Sequence, residues 1–349
     1  MSLENPATAL VGRMRRTLVA TLAPLLQGVP RVALLDFPGY SNAGDSAIWL
    51  GALRLLEECG VPPPVYVADR RSYDRGALAA RLGGGAILIT GGGNFGDLWE
   101  SHQAFRERVA RDFPDAPIIQ LPQTIHFASD ARLARAREAL DSHPAFTILA
   151  RDRRSLEAAR SAFRARVLLC PDLAFAFGTL DRPRPPDRDL VWQSRRDQER
   201  PAAGSPAEMP GAPRPVDWAR IRRSPASVAG RYMPRAVGRW PRALAPLERP
   251  LERLFRTLAE RRLAAACRLL SGGRVVVTNR LHGHLLCLLL GIPHFVSDNR
   301  YGKLRSFHET WTAEAAGAVF CDSEAEALER ARQHPALSGY PRGGTLGAS

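Results

Sequence analysis

Along most of the chain, short apolar runs ending in glycine or polar turns alternate with stretches whose apolar residues recur every three or four positions. Runs of the first kind predict buried strands, and those of the second predict amphipathic helices. Strands are expected at 31–37 (RVALLDF), 65–68, 86–90 (AILIT), 118–121, 146–150 and 167–170, and helices at 46–59, 77–82, 102–112, 131–140 and 155–162. This alternation predicts an α/β fold with a parallel, doubly wound sheet, in which ligands bind beyond the carboxyl ends of the strands. The pattern changes after Phe177. A second series opens with a strand at 190–193 and continues with a helix over about 243–270, a strand at 274–278, a helix at 283–290, a strand at 292–297 and a helix at 325–333. Pro250 is expected to kink or break the first of these helices. Between the two series, 197–246 is rich in Arg, Pro, Ala and Gly with weak periodicity, and reads as a long insertion. Near the N-terminus, Arg13, Arg15 and Arg16 precede an apolar run over 17–26, signal-like in outline. Pro24 interrupts it and no A-x-A site follows, so a short docking helix is the expectation.

Composition narrows the class. The chain has 349 residues, 45% hydrophobic and 24% charged, which is ordinary for a globular protein and excludes a disordered or fibrous one. At ~100–200 residues per domain, two domains are expected. No apolar stretch approaches the ~18 residues of a membrane span. The five cysteines form no C-x-x-C pair, which argues against a zinc ribbon or disulfide scaffold and favours reduced thiols and a cytoplasmic location.

The formal charge of +14 points to an anionic partner: nucleic acid, a membrane surface or a phosphorylated substrate. Of the 49 basic residues only Lys303 is lysine, so an arginine at any one position carries little information, whereas the lysine stands out. Residues 182–262 hold 19 Arg against nine acidic residues, a local excess of +10.

Five motifs lie where a strand ends. Residues 39–45 (GYSNAGD) lead into a helix that Asp45 or Ser46 could cap, with Asn42 nearby. Residues 90–97 (TGGGNFGD) carry Gly91, Gly92, Gly93, Asn94 and Asp97; backbone N–H groups of such a loop can cradle an anion, although no Walker lysine follows. Arg151, in 150–153 (ARDR), could hold a phosphate or carboxylate ahead of a helix capped by Asp152 or Ser155. Residues 278–284 (TNRLHGH) place Arg280 and His282 two apart, which suits anion binding with proton transfer, while His284 reads as structural. Residues 297–303 (SDNRYGK) end on Lys303 in a polar loop. No cluster has metal-ligand spacing, so no metal is expected.

Taken in order, GYSNAGDSAI, TGGGNFGD, LPQTI, ARDRRS, PDLAF and NRLHG…GIP…YGK resemble the motifs of the polysaccharide pyruvyl transferase family, from about Asp36 to Trp311 with a gap across the middle. The resemblance implies two Rossmann-like domains with a cleft between them, similar to B-type glycosyltransferases; the boundaries expected here are 1–178 and 179–349, with the insertion at about 197–246. It also implies transfer of a pyruvyl group from phosphoenolpyruvate to a sugar of an exopolysaccharide or cell-wall polymer as a ketal, the donor being a substrate and no cofactor being required. Arg280, Arg151 and Lys303, helped by the glycine-loop N–H groups, would hold the donor phosphate and carboxylate, and His282 would act as acid and base. Asn42, Asp45, Asn94 and Asp97 would meet acceptor hydroxyls or serve the structure of their loops, and Arg195 and Arg196 would face the cleft. The acceptor could be lipid-linked, with the basic middle segment against an anionic membrane at its inner face, although a solvated, codon-biased insertion is the plainer reading of that segment. A B-type glycosyltransferase using a nucleotide sugar is the alternative, with Glu309 or Glu314 for the ribose. A basic binding protein without catalysis leaves the strand-end motifs unexplained, and no specific nucleic-acid partner is expected.

Overall fold

Two parallel sheets organise the chain, and the computed structural model describes residues 5–195, 199, 213–218, 233–234 and 248–337. The first sheet takes β1 (Val32–Leu35), β2 (Tyr66–Ala68), β3 (Ala86–Ile89), β4 (Gly92–Gly96), β5 (Ile118–His126), β6 (Phe146–Ala150) and β7 (Arg166–Leu169). Its order is β2-β1-β3-β5-β6-β7, with β4 beside the far end of β5. The second sheet runs β8 (Arg188–Gln193), β9 (Gly273–Thr278), β10 (His294–Ser297) and β11 (Ala318–Cys321) in chain order. Among the described residues every strand pairing is parallel, as the alternating pattern predicted.

The helices are α1 (Thr8–Leu26), α2 (Ala43–Glu58), α3 (Arg75–Leu82), α4 (Glu100–Asp112), α5 (Asp130–Asp141), α6 (Arg153–Ala162), α7 (Glu248–Ser271), α8 (Leu281–Leu289), α9 (Lys303–Phe307) and α10 (Glu324–Arg332). Short polar residues start several of them: the side chains of Asn42, Asp74, Ser129, Asp152 and Ser323 each accept a backbone N–H of the first turn. The cap of α2 is therefore Asn42, not Asp45 or Ser46.

Several elements differ from the expectation for physical reasons. β5 runs on through Pro122, because a register shift between Gln120 and Gln123 lets it pass where no ladder donor is available. The glycine run is not a strand-to-helix turn. It forms β4, which continues the line of β3 along β5, and the helix starts only at Glu100. Pro250 does not break α7, which runs from Glu248 to Ser271 through it. Lys303 opens α9 and does not sit in a loop. The strand β11 lies in a stretch the pattern left unassigned. Most of 197–246 lies outside the described residues, as does Arg196.

One apolar core joins α1, α2, α7 and α8 beneath both sheets, from Leu18 through Leu34 and Phe255 to Leu285. α1 is longer than its apolar run suggested and buries Leu10, Val11, Met14, Leu18, Leu22 and Leu26. Asn5, just before it, donates to the carbonyls of Leu288 and Leu289 at 2.9 Å each. Among the described residues no helix is long and apolar enough to cross a membrane. All five cysteines are free thiols, and four of them are buried.

A buried imidazole chain supports the second sheet. His294 Nδ1 bonds the Ile292 carbonyl at 2.8 Å, leaving its Nε2 to meet His284 Nδ1 at 2.7 Å; His284 Nε2 then meets Thr312 Oγ1 at 2.8 Å. The contacts are satisfied with both rings neutral, His294 Nδ1 donating to the carbonyl, His284 Nδ1 donating to His294 Nε2 and Thr312 Oγ1 donating to His284 Nε2, and burial disfavours a charge on either ring. Burial pulls His284 well below the ordinary imidazole value and His294 down to about 4. The unfolded chain therefore binds more protons than the folded one below an ordinary imidazole pKa of about 6.5. Stability is expected to fall as pH drops from about 6.5 toward 4, by roughly 3 kcal/mol for His294 alone. Thermal melts across that range check this, and His294→Gln should flatten the slope.

Candidate active site

Strand ends from both sheets converge on one cavity of about 480 Å³. From the first sheet come the segment after β1, which brings Tyr40, Asn42 and Asp45, then Gly93 and Asn94 of β4, His102 of α4 and Arg151 after β6. From the second come Arg195 after β8, Arg280 and His282 after β9, and Asn299 and Lys303 after β10. Glu199, Trp218, Trp99, Arg70 and Arg71 are also in the wall. This is the location that parallel sheets assign to ligands.

His282 stands in the first turn of α8, and its ring lies against the first turn of α2. A Cβ on Gly44 would collide with its Nδ1 and ring carbons, so the glycine is what admits the imidazole. Its Nε2 lies 3.4 Å from Asp172 Oδ2. Asp172 is wholly buried and follows β7. Its Oδ2 also accepts from Arg151 Nη1 at 3.0 Å, and its Oδ1 from the Ala174 N–H at 2.9 Å. Burial alone would raise this carboxyl; His282, followed by Arg151 and the Ala174 N–H, outweighs it and holds the group well below the usual carboxylate range. Asp172 thus stays anionic; it holds Arg151 through a hydrogen bond and stands beside His282 Nε2, a buried nitrogen with no hydrogen-bond partner among the described residues.

The cations are individually braced. Arg151 Nε donates to Thr124 Oγ1 at 2.7 Å, and its guanidinium and Lys303 Nζ both lie beside the Cα of Gly93. Lys303 Nζ donates to the Gly93 carbonyl at 3.2 Å and to Glu199 Oε1 at 3.1 Å. Burial lowers its pKa and Glu199 opposes the change. Arg195 pairs with the other oxygen of Glu199 at 2.9 Å. Arg280 pairs with Asp217 Oδ2 at 2.6 Å and lies over the Trp218 ring. Arg151 is also tied to the second sheet's side, because Trp311 Nε1 donates to its carbonyl at 2.8 Å and Ser306 Oγ donates to Asp152 at 2.8 Å.

Three expected site residues lie elsewhere. Asp97 Oδ2 accepts the N–H groups of Ala128 and Ser129 at 2.7 and 2.8 Å, fixing the turn before α5, and it does not line the cavity. Gly91 and Gly92 are not in the wall either. A Cβ on Gly91 would run into the Pro122 carbonyl, so that glycine serves the close approach of the chain to β5. Of the three glycines only Gly93 faces the cations. Asn42, Asp45, Asn94, Arg151, Arg195, Arg280, His282 and Lys303 all line the cavity. His284 is structural, as expected. Glu309 and Glu314 do not line the cavity; Glu314 forms an exposed pair with Arg13.

Sequence reading missed Asp172, Asp36, His102, Glu199 and Trp218. Asp172 had a signal, since it follows a strand just as Arg151 does. His102 had none, because it lies within a helix between unremarkable neighbours. Among the described residues no cluster of His, Cys, Asp or Glu could hold a metal ion.

The family model for polysaccharide pyruvyl transferase matches residues 42–301. The chain is similar to pyruvyl transferase 1 of Schizosaccharomyces pombe, with 32% identity over 81% of this chain and 70% of that protein. It is also similar to Bacillus subtilis EpsO, provisionally designated a pyruvyl transferase, with 28% identity over 83% of this chain and 89% of that one. A crystal structure of a functionally uncharacterized Klebsiella pneumoniae protein shares the fold, with a TM-score of 0.55 at 16% identity, covering 89% of this chain and 99% of that one.

Proposed function

Because the chain belongs to the polysaccharide pyruvyl transferase family and is a transferase of pyruvyl groups, we propose that its donor is phosphoenolpyruvate and that it installs a ketal on a sugar of an exopolysaccharide or cell-wall polymer. The observation that carries this reading is the convergence of Arg151, Arg195, Arg280 and Lys303 on one cavity beside His282. A trianionic donor with phosphate and carboxylate at one carbon needs several cations held in place, and guanidinium forks suit both groups. His282, with an anionic partner behind it, is suited to carry a proton to C3 of the enol, which makes C2 electrophilic. The open sides of Asn42 and Asp45 suit the acceptor, a free or lipid-linked sugar. The nucleotide-sugar reading has lost its acidic residues, since neither Glu309 nor Glu314 reaches this cavity.

Calorimetry tests the donor. Phosphoenolpyruvate should bind the intact protein, and Lys303→Met should raise its Kd about 10- to 100-fold, as expected for one charged hydrogen bond of about 1.5–3 kcal/mol. Binding of a nucleotide sugar with no response to phosphoenolpyruvate would overturn the reading.

A further inference from the structure

A second histidine–carboxylate pair faces the same cavity and has no part in the steps above. Asp36 closes β1 with φ of 64°, making it the non-glycine residue in the left-handed region among the described residues. Such a backbone costs of order 1–3 kcal/mol and persists where the surroundings over-determine it. What it achieves here is to turn the buried carboxylate toward α4, where Oδ2 lies 2.7 Å from His102 Nδ1. Arg70 Nε stands 3.3 Å from Oδ1.

The tautomer of His102 follows from its neighbours. The amide nitrogen of Asn94 also lies 3.2 Å from Nδ1, so either contact alone could be the hydrogen bond. Asn94 is fixed in orientation, because its Oδ1 accepts from Gln123 Nε2 at 2.8 Å and Arg106 Nη2 at 3.1 Å. An unprotonated Nδ1 would set its lone pair against a carboxylate at 2.7 Å, which is repulsive, so Nδ1 carries the proton and gives it to Asp36. Nε2 is then the basic nitrogen. It has no hydrogen-bond partner among the described residues, and the ring lines the cavity. The arrangement has the logic of an aspartate that holds an imidazole in one tautomer so that its other nitrogen can take a proton.

We propose that His102 is the base that deprotonates the acceptor hydroxyl, with Asp36 as its positioning residue; this rests on the pyruvyl-transfer reading. The hydroxyl proton passes to His102 Nε2 and the freed oxygen pair forms the bond to C2, while the C2–C3 π pair takes a proton from His282 and leaves a methyl group. When the second hydroxyl adds, the bond from C2 to the phosphate oxygen breaks and its pair leaves with the phosphate. The second hydroxyl's proton then refills His282, and the proton held by His102 goes to the departing phosphate. No oxidant or further reactant is needed.

The test uses the full chain, with phosphate release from phosphoenolpyruvate measured against a panel of methyl hexopyranosides and against water alone. His102→Asn keeps a donor toward Asp36 but removes the base. It should lower kcat about 100-fold with the Kd for phosphoenolpyruvate unchanged. Asp36→Asn should lower kcat about tenfold and shift the acidic limb of the pH profile, which a merely structural role would not do. A His102→Asn protein that binds the donor and keeps more than a tenth of wild-type kcat overturns the assignment alone. Failure of the intact protein to bind the donor overturns the underlying reading as well. Donor binding with no phosphate release to any sugar or to water also overturns the assignment, because a poised base should activate whichever hydroxyl is supplied.

Discussion

Alanine at position 44 is expected to stop turnover, by about 10³-fold or more, in a protein that still folds. The added methyl would sit on the His282 ring, and the neighbours that could yield are few. The ring has Asp172 on its far side, and α8 behind it is buried throughout from Leu281 to Leu289. The imidazole must therefore rotate away from its aspartate. A positioned acid or base contributes typically 10²–10⁴-fold, and a displaced one loses most of that. Overpacking of this kind costs about 1–3 kcal/mol, which a domain with ordinary stability survives. Steady-state kinetics with circular dichroism would separate the two effects. Retained kcat in Gly44→Ala would mean that the position of His282 does not matter to the chemistry.

Asp172→Asn should produce the largest loss from a single change of atom, approaching 10⁴-fold in kcat. The carboxylate does two things at once: it sets a negative charge 3.4 Å from His282 Nε2 and it neutralises Arg151. An amide keeps the shape and the bond from the Ala174 N–H, but it cannot stabilise an imidazolium. Replacing the aspartate behind a catalytic histidine by asparagine costs about 10⁴-fold in the serine proteases for this reason. Leaving a buried guanidinium short of its partner also destabilises, by about 3–5 kcal/mol when a whole partner is removed and less for an isostere. The assay therefore belongs well below the melting temperature at saturating donor. Loss of kcat with little change in donor Kd is the expected signature; an unaffected kcat would remove His282 from the proton-transfer step.

The parallel α/β class was legible because buried parallel strands write themselves as short apolar runs, and 146–150 was read to the residue. Strand ends then marked Arg151, Arg280, His282 and Lys303 without any coordinates. Features set by distant partners were not legible. Gly91 and Gly96 look like a phosphate loop, yet each is glycine because the backbone of β5 passes too close for a side chain. Asp97 looks like a ligand residue and serves a turn 31 and 32 positions further along. His102 and Asp36 are 66 positions apart, and nothing in their local context announces that they touch.

The scarcity of lysine gives the protein an experimental property of its own. The chain has one lysine ε-amino group, and the fold has set it in the wall of the cavity, 6% exposed and hydrogen-bonded to Gly93. Burial lowers its pKa, which favours the unprotonated, nucleophilic amine over that of a surface lysine. A reductive-methylation reagent thus meets a single side-chain amine, and the mass of one peptide reports whether the cavity is open or filled. Most proteins need an introduced label for such a footprint; here it comes with the sequence.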